Sequence, residues 1–134
     1  MNDMELIKAA IDAMGRAYAP YSGFFVGAAI LSAGGAVYTG CNVENASYGA
    51  TICAERTALL KAVSEGERDF TAIAIVGGKG GEICDFCPPC GVCRQVLSEF
   101  AAGDFSILLF DGERTKTLTL SELLPHSFAK NNLC

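Results

Sequence analysis

Two short stretches, Cys53-Ala54-Glu55-Arg56 and Pro89-Cys90-Gly91-Val92-Cys93, constrain this chain more than the rest of it, because together they hold the parts of a metal centre. Thiolates are soft donors that bind Zn²⁺, and a carboxylate beside the ion but not bound to it can carry protons. A structural zinc site usually closes four protein ligands, whereas a catalytic one uses three and keeps a position for water. Cys53, Cys90 and Cys93 make three. If they serve one ion, the two stretches must meet in space.

Cys90 and Cys93 stand three positions apart, so at the start of a helix both sulfurs project from one face, where the helix N-terminus favours negative charge. Pro89 ahead of them suits the beginning of a helix. Three thiolates around Zn²⁺ leave a net negative charge, and Arg56, one helical turn after Cys53, is placed to donate hydrogen bonds to them and offset it. Glu55 lies two positions from Cys53, which on a regular helix sends the two side chains to nearly opposite faces. Both reach one site only if Cys53 sits at the irregular first turn, with Thr51 an acceptable N-cap before the periodic run Ala54, Ala58, Leu59, Ala62, Val63. Taken alone, Glu55 reads as a first-turn glutamate stabilised by the helix dipole; beside the cysteines it reads as a proton carrier. The residues describe a zinc hydrolase.

The flanking elements alternate in type. Leu6, Ile7, Ala10, Ile11 and Met14 form a helical stripe that ends before Pro20, and strands are predicted over 25–31 and 36–41 around Ala33-Gly34-Gly35. A helix over about 53–64 closes at Gly66, and the apolar run 70–76 suits a strand buried on both faces. A glycine- and proline-rich loop, 77–89, delivers the chain to the Cys90 helix, and strands at 106–110 and 116–119 flank Asp111-Gly112. This order predicts one α/β domain spanning residues 1–134, a three-layer α/β/α fold with a mixed sheet of about five strands. The two cysteine helices would be neighbours, with their N-termini meeting at the metal near the strand ends, where such sheets bind ligands.

Composition narrows the function classes. The 134 residues are 51% apolar and 19% charged, enough to bury a core in one compact domain. A net charge of −5, with no basic run interleaved with aromatics, argues against nucleic acid as a partner. The longest apolar stretch, starting at Phe24, is broken by Gly27, Ser32, Gly34 and Gly35 and falls short of the ~20 residues a membrane helix needs. Residues 1–12 carry acids and no hydrophobic signal core, so no targeting segment is expected. Seven cysteines in such a chain fit a reducing, cytoplasmic setting with thiols used for metal.

The signature ligand-x-Glu followed by Pro-Cys-x-x-Cys is that of the zinc deaminases, in its three-cysteine form. Ala19-Pro20-Tyr21-Ser22, Phe24, Val26-Gly27-Ala28-Ala29, the run Gly40 to Ala46, the run Cys53 to Ala58, Cys93-Arg94-Gln95-Val96 and Leu123-Leu124-Pro125 with Phe128 extend the likeness over nearly the whole chain. It resembles the small homotetrameric zinc-dependent cytidine deaminases. That resemblance implies hydrolytic deamination of cytidine, and of deoxycytidine, to the uracil nucleoside and ammonia in pyrimidine salvage, with one zinc per chain. Glu55 would move the protons at C4 and N3 of the pyrimidine. Main-chain groups at Ala54 and the carbonyl of Pro88, where the family commonly has serine, would orient the base. Asn42 and Glu44, on one face of a strand, would bind the ribose hydroxyls. Phe24 would stack near the base, and Phe128 would cover it from a neighbouring subunit, the active sites being shared in a homotetramer. Arg56 and Gln95 would support the ligands from behind. Tyr48 is a further substrate candidate that could equally be packing; a phenylalanine such as Phe24 is by default a core residue, and the competing reading of Phe128 is a local anchor for its own tail. His126, the lone histidine, lies outside the signature.

Two additional cysteines, Cys84 and Cys87, depart from the family pattern by repeating the Cys-x-x-Cys spacing just ahead of the ligand pair. Cys84, Cys87, Cys90 and Cys93 could therefore close a structural zinc site or work as a redox pair, which would leave Cys53, Glu55 and Arg56 without a role. They could also be spare thiols, with Cys41 and Cys134 ordinary nonligands. A blasticidin S-type deaminase shares Cys-Ala-Glu and Cys-x-x-Cys and is the alternative enzyme.

Overall fold

The computed structural model of the chain describes residues 1–133; Cys134 lies outside them. Its elements are α1 (Asp3–Met14), β1 (Phe24–Ser32), β2 (Val37–Cys41), α2 (Ala54–Ser64), β3 (Phe70–Lys79), α3 (Gly91–Phe100), β4 (Ser106–Phe110), β5 (Thr115–Thr119) and α4 (Leu120–Leu123). The strands form one mixed sheet in the order β2-β1-β3-β4-β5, in which β3 and β4 run parallel and the other pairs antiparallel. The chain crosses over through α3 between the parallel strands, as parallel pairing requires.

Alternation along each strand divides the apolar residues between two layers. On one face, Leu6, Ile7, Ala10 and Met14 of α1 pack against Ala29, Ala74, Val76 and Leu108. On the other, Ala54, Ala58, Leu59 and Ala62 of α2, with Leu97 of α3, pack against Ala28, Ile30, Ile73, Ile75, Ile107 and Leu109. The predicted α/β/α sandwich is the one formed. β3 serves both layers, which is why its sequence reads as an unbroken apolar run.

Two glycines set the spacing of the layers. A Cβ on Gly27 would stand 2.0 Å from the Ala10 carbonyl oxygen, so α1 rests its backbone directly on β1. A Cβ on Gly40 would stand 2.5 Å from the Ala58 nitrogen and 2.8 Å from the Ala54 oxygen, so α2 is seated in the same way on β2. The second contact fixes the height of the first turn of α2, where Cys53 and Glu55 lie.

The structure departs from the sequence reading at four places. β2 ends at Cys41, so Asn42 and Glu44 follow the strand rather than lie on it, with only Val43 bridging to Tyr18 and Ile52. β3 runs on to Lys79, because Gly77 and Gly78 pair with Val26 and Phe25 and the ladder overrides their loop-like composition. A single helical turn, α4, follows β5, closed by a capping box in which the Thr119 side chain accepts from the Glu122 N–H and Glu122 accepts from that of Thr119. The N-cap of α2 is Cys53 rather than Thr51, whose hydroxyl instead accepts from the Asn45 N–H at 3.2 Å. Among the described residues no helix is long and apolar enough to cross a membrane.

Candidate active site

Cys53 and Cys90 occupy equivalent positions, each the extended N-cap residue of a helix, with φ and ψ of −74° and 156° at Cys53 and −68° and 168° at Cys90. Neither thiol caps its helix, so both are free to turn toward each other. The geometry meets the condition set by the sequence: with Cys53 at the cap, Glu55 enters the same site from the first turn. Reciprocal hydrogen bonds between Val43 and Ile52, at 2.9 and 3.0 Å, lay the 42–44 segment beside the approach to Cys53.

The three sulfurs of Cys53, Cys90 and Cys93 all lie within 4.8 Å of one another, and those of Cys53 and Cys90 are 3.8 Å apart. Two thiolates each about 2.3 Å from a tetrahedral zinc stand roughly 3.8 Å apart, so this pair is already at a zinc-bridging distance. The donor set fits zinc chemically as well, being soft and all sulfur. Crowded thiols cannot ionise independently. Cys53 is pushed down to about 5, first by its hydrogen bond with Cys93 and then, against the cost of burial, by Arg56 and Cys90. Cys93 is pushed up by the same hydrogen bond, by burial, and by the negative charges of Glu55 and Cys53. A dication resolves that conflict by stabilising all three as thiolates.

Arg56 stands where the sequence places it. Its Nη2 donates to the Cys53 sulfur at 3.5 Å, while its Nε is buried without a hydrogen-bond partner among the described residues. A hydrogen bond to the Cys53 thiolate is the main reason its pKa is raised, so the guanidinium keeps its charge against the sulfur cluster. Glu55 is only 4% exposed. Burial, reinforced by the neighbouring Cys53 charge, pushes its carboxyl up to about 7.

Glu55, Cys53 and Cys90 line a cavity of about 180 Å³ with Val26, Asn42, Thr51, Ala54, Cys87 and Pro88. Thr51 also lines a second cavity of about 360 Å³, together with Tyr21, Ser22, Glu44 and Tyr48. The two hollows share that threonine wall. Glu44 accepts from the Tyr21 and Ser22 N–H groups at 2.9 and 3.1 Å and from the Ser22 hydroxyl at 2.5 Å; the hydroxyl bond is the main reason its pKa is lowered. Asn42 is buried, with its side-chain oxygen accepting from Val26 N–H at 2.9 Å and its amide donating to the Phe24 carbonyl at 2.8 Å. One further N–H and one lone pair of that amide remain.

Other predicted residues are distributed less uniformly. Phe24 opens β1 beside Gly77 and Val26 and is exposed. Tyr48 is exposed, its ring 5.9 Å from that of Tyr21. Phe128 is exposed and lines neither cavity of its own chain. The Gln95 amide donates to the Phe128 carbonyl at 2.8 Å. Tyr21, Ser22, Thr51 and Cys87 line the cavities without having been singled out for them. An acidic Glu44 needing donors was the available signal for Tyr21 and Ser22.

The four-cysteine alternative does not assemble. Cys84 lies in a separate depression with Ile83, Asp111, Gly112 and Glu113, while Cys87 faces the Glu55 cavity. Burial is the first cause pushing the Cys87 thiol up to about 12, followed by the charges of Glu55 and Cys53, which makes it a poor nucleophile and redox partner. Cys41, Cys84 and Cys87 are free thiols.

Three soft ligands and a buried carboxyl, gathered at two helix starts on an α/β/α sheet, define a zinc-hydrolase class of site. Comparison with known proteins specifies it. A family model described as the cytidine and deoxycytidylate deaminase zinc-binding region matches residues 1–109. The chain is 49% identical over 135 residues to a cytidine deaminase of Halalkalibacterium halodurans, covering 99% of this chain and 98% of that one. A solved cytidine deaminase structure from Burkholderia pseudomallei matches with a TM-score of 0.88 and 45% identity, covering 96% of this chain and 100% of that one. A blasticidin-S deaminase of Bacillus cereus is more distant, at 32% identity over 96% of this chain and 94% of that one. The chain belongs to the cytidine and deoxycytidylate deaminase family, whose hallmark is this zinc-binding region.

Proposed function

We propose that this chain is a zinc-dependent cytidine deaminase, a single catalytic domain that converts cytidine and deoxycytidine with water to the uracil nucleoside and ammonia. The observation that carries the reading is the Glu55 carboxyl, 4% exposed and pushed up to about 7, facing one cavity with Cys53 and Cys90. A carboxyl poised near neutral pH can both accept and return a proton. Cys53, Cys90 and Cys93 hold the ion, which when bound supplies the Lewis acidity that makes a water nucleophilic at neutral pH. Arg56 offsets the charge of the thiolates.

Glu55 takes a proton from the attacking water as oxygen bonds to C4 of the cytosine ring, and delivers it to N3. It then moves the remaining proton of the C4 hydroxyl to the exocyclic nitrogen, so that the C4=O bond forms as the C4–N bond breaks and ammonia leaves. One carboxyl serves each transfer, and no diffusible cofactor is consumed. The cavity beside Glu55 takes the ring, oriented by main-chain groups at Ala54 and Pro88, with Phe24 as the stacking aromatic. The larger cavity takes the sugar, whose hydroxyls donate to Glu44, ionised at neutral pH, while the remaining capacity of Asn42 meets the sugar from the adjoining cavity beside Glu55. Tyr48 walls that cavity.

Assembly as a homotetramer with shared sites supplies the missing cover, Phe128 reaching a neighbour's pocket. Exposed Tyr18, Val43, Leu60, Val92 and Phe128 support burial between copies. The expected setting is pyrimidine salvage in the cytoplasm. Turnover of cytidine, deoxycytidine and blasticidin S, measured side by side on zinc-loaded protein, tests the substrate assignment. The two nucleosides should be turned over with the antibiotic far behind; preference for blasticidin S would replace this reading with the antibiotic one.

A further inference from the structure

We infer that Arg94 is a positioning residue that ties the approach to Cys90 to the C-terminal segment, so that metal retention and the order of residues 120–129 are linked. This rests on the reading that the three cysteines hold zinc. Arg94 follows Cys93 on α3, and its side chain folds back over the start of the helix. Nε donates to the Pro89 carbonyl at 2.7 Å, and Nη1 donates to the Leu123 carbonyl at 2.9 Å. One half-buried guanidinium therefore bridges main-chain carbonyls of two segments far apart in sequence.

Both carbonyls belong to segments with little regular structure, although the Pro89 ring itself is packed and fully buried. Residues 80–90 form no helix or strand, and α4 is a single turn. Holding the Pro89 carbonyl fixes the peptide plane from which Cys90 departs. That matters most for Cys90, because it is exposed while Cys93 is buried, so packing does less to aim its sulfur. The next residue, Gln95, extends the tie by donating to the Phe128 carbonyl at 2.8 Å. A rigid planar fork can satisfy two carbonyls at once; a lysine ammonium at the end of a flexible stem cannot reproduce that geometry. Coupling of this kind is reciprocal, so zinc should order the segment to the same extent that the segment retains zinc.

The test uses the full chain loaded with zinc, as wild type, Arg94→Gln and Arg94→Lys. Zinc loss to a chromophoric chelator and hydrogen exchange over residues 120–129, with and without zinc, are measured without substrate. Partners that orient metal ligands are worth roughly 10- to 100-fold in metal affinity, and Arg94→Gln should raise the rate of zinc loss by about tenfold, the lower end, because it acts through a carbonyl. Arg94→Lys should also lose zinc faster than wild type. Zinc should protect residues 120–129 in wild type and lose that effect in Arg94→Gln. Zinc loss at the wild-type rate from folded Arg94→Gln, full restoration by Arg94→Lys, or exchange in wild type indifferent to zinc would each overturn the inference. Should Arg94→Gln not fold, Arg94→Lys carries the same comparison. Wild type that takes up no zinc overturns the metal reading itself, before any substitution is compared.

Discussion

Gly40→Ala tests how Cys53 and Glu55 are held in place. The added carbon would stand 2.5 Å from the Ala58 nitrogen, 2.8 Å from the Ala54 oxygen and 2.9 Å from the Thr57 Cβ. The first two are backbone atoms of α2, so no rotamer change relieves the clash, and α2 must lift from β2 by about 1 Å to reach ordinary contact distance. Overpacking costs roughly 1–3 kcal/mol, and a collision with backbone belongs near 3 kcal/mol. For a domain of this size about 3–5 °C of Tm is lost per kcal/mol, so Tm should fall by about 10–15 °C. The same lift moves the Cys53 cap away from Cys90, so zinc should also bind more weakly. Thermal unfolding of the zinc-free protein and chelator competition on the zinc-loaded protein read the two effects separately. Gly49→Ala, with open space around its Cβ, is the control and should change neither. Wild-type stability and zinc affinity in Gly40→Ala would refute the backbone-on-backbone seating of α2.

Two further outcomes are expected. Replacing Cys84 and Cys87 together with serine should leave one zinc per chain, whereas Cys53→Ser should lose it; metal analysis giving the reverse pattern would restore the four-cysteine site. Mixing Glu55→Gln chains with Phe128→Ala chains under reassembly should give activity above both parents, because some mixed assemblies then contain an intact pocket; no rise despite confirmed subunit exchange would confine Phe128 to its own chain.

What could be read from the sequence is what chemistry or periodicity imposes locally. Zinc demands particular residue types at particular spacings, so the Cys53, Cys90 and Cys93 cluster was visible before any fold. The requirement that Cys53 sit at an irregular helix start followed from the two-residue offset to Glu55 alone. Long apolar strands and the α1 stripe were equally plain. The helix α4 was not, since one turn is too short to show a period, and only Thr119-x-x-Glu122 marks it. Thr51 looked like a cap because hydroxyls usually are, yet the chain uses Cys53 at that position and gives Thr51 to the loop and to the wall between two cavities. Arg94 joining Pro89 to Leu123, and Asn42 spending much of its amide on β1, are long-range pairings for which a sequence carries no local mark.

The most direct measurement is turnover of cytidine by zinc-replete Glu55→Gln. The amide keeps the size and hydrogen-bonding capacity of the carboxyl but cannot carry a proton. General acid–base groups are worth roughly 10²–10⁴ in rate, and one used in successive transfers belongs at the upper end or beyond. The account predicts a folded protein with one zinc per chain and turnover reduced by about 10⁴ or more. Near-normal turnover with zinc in place would contradict it.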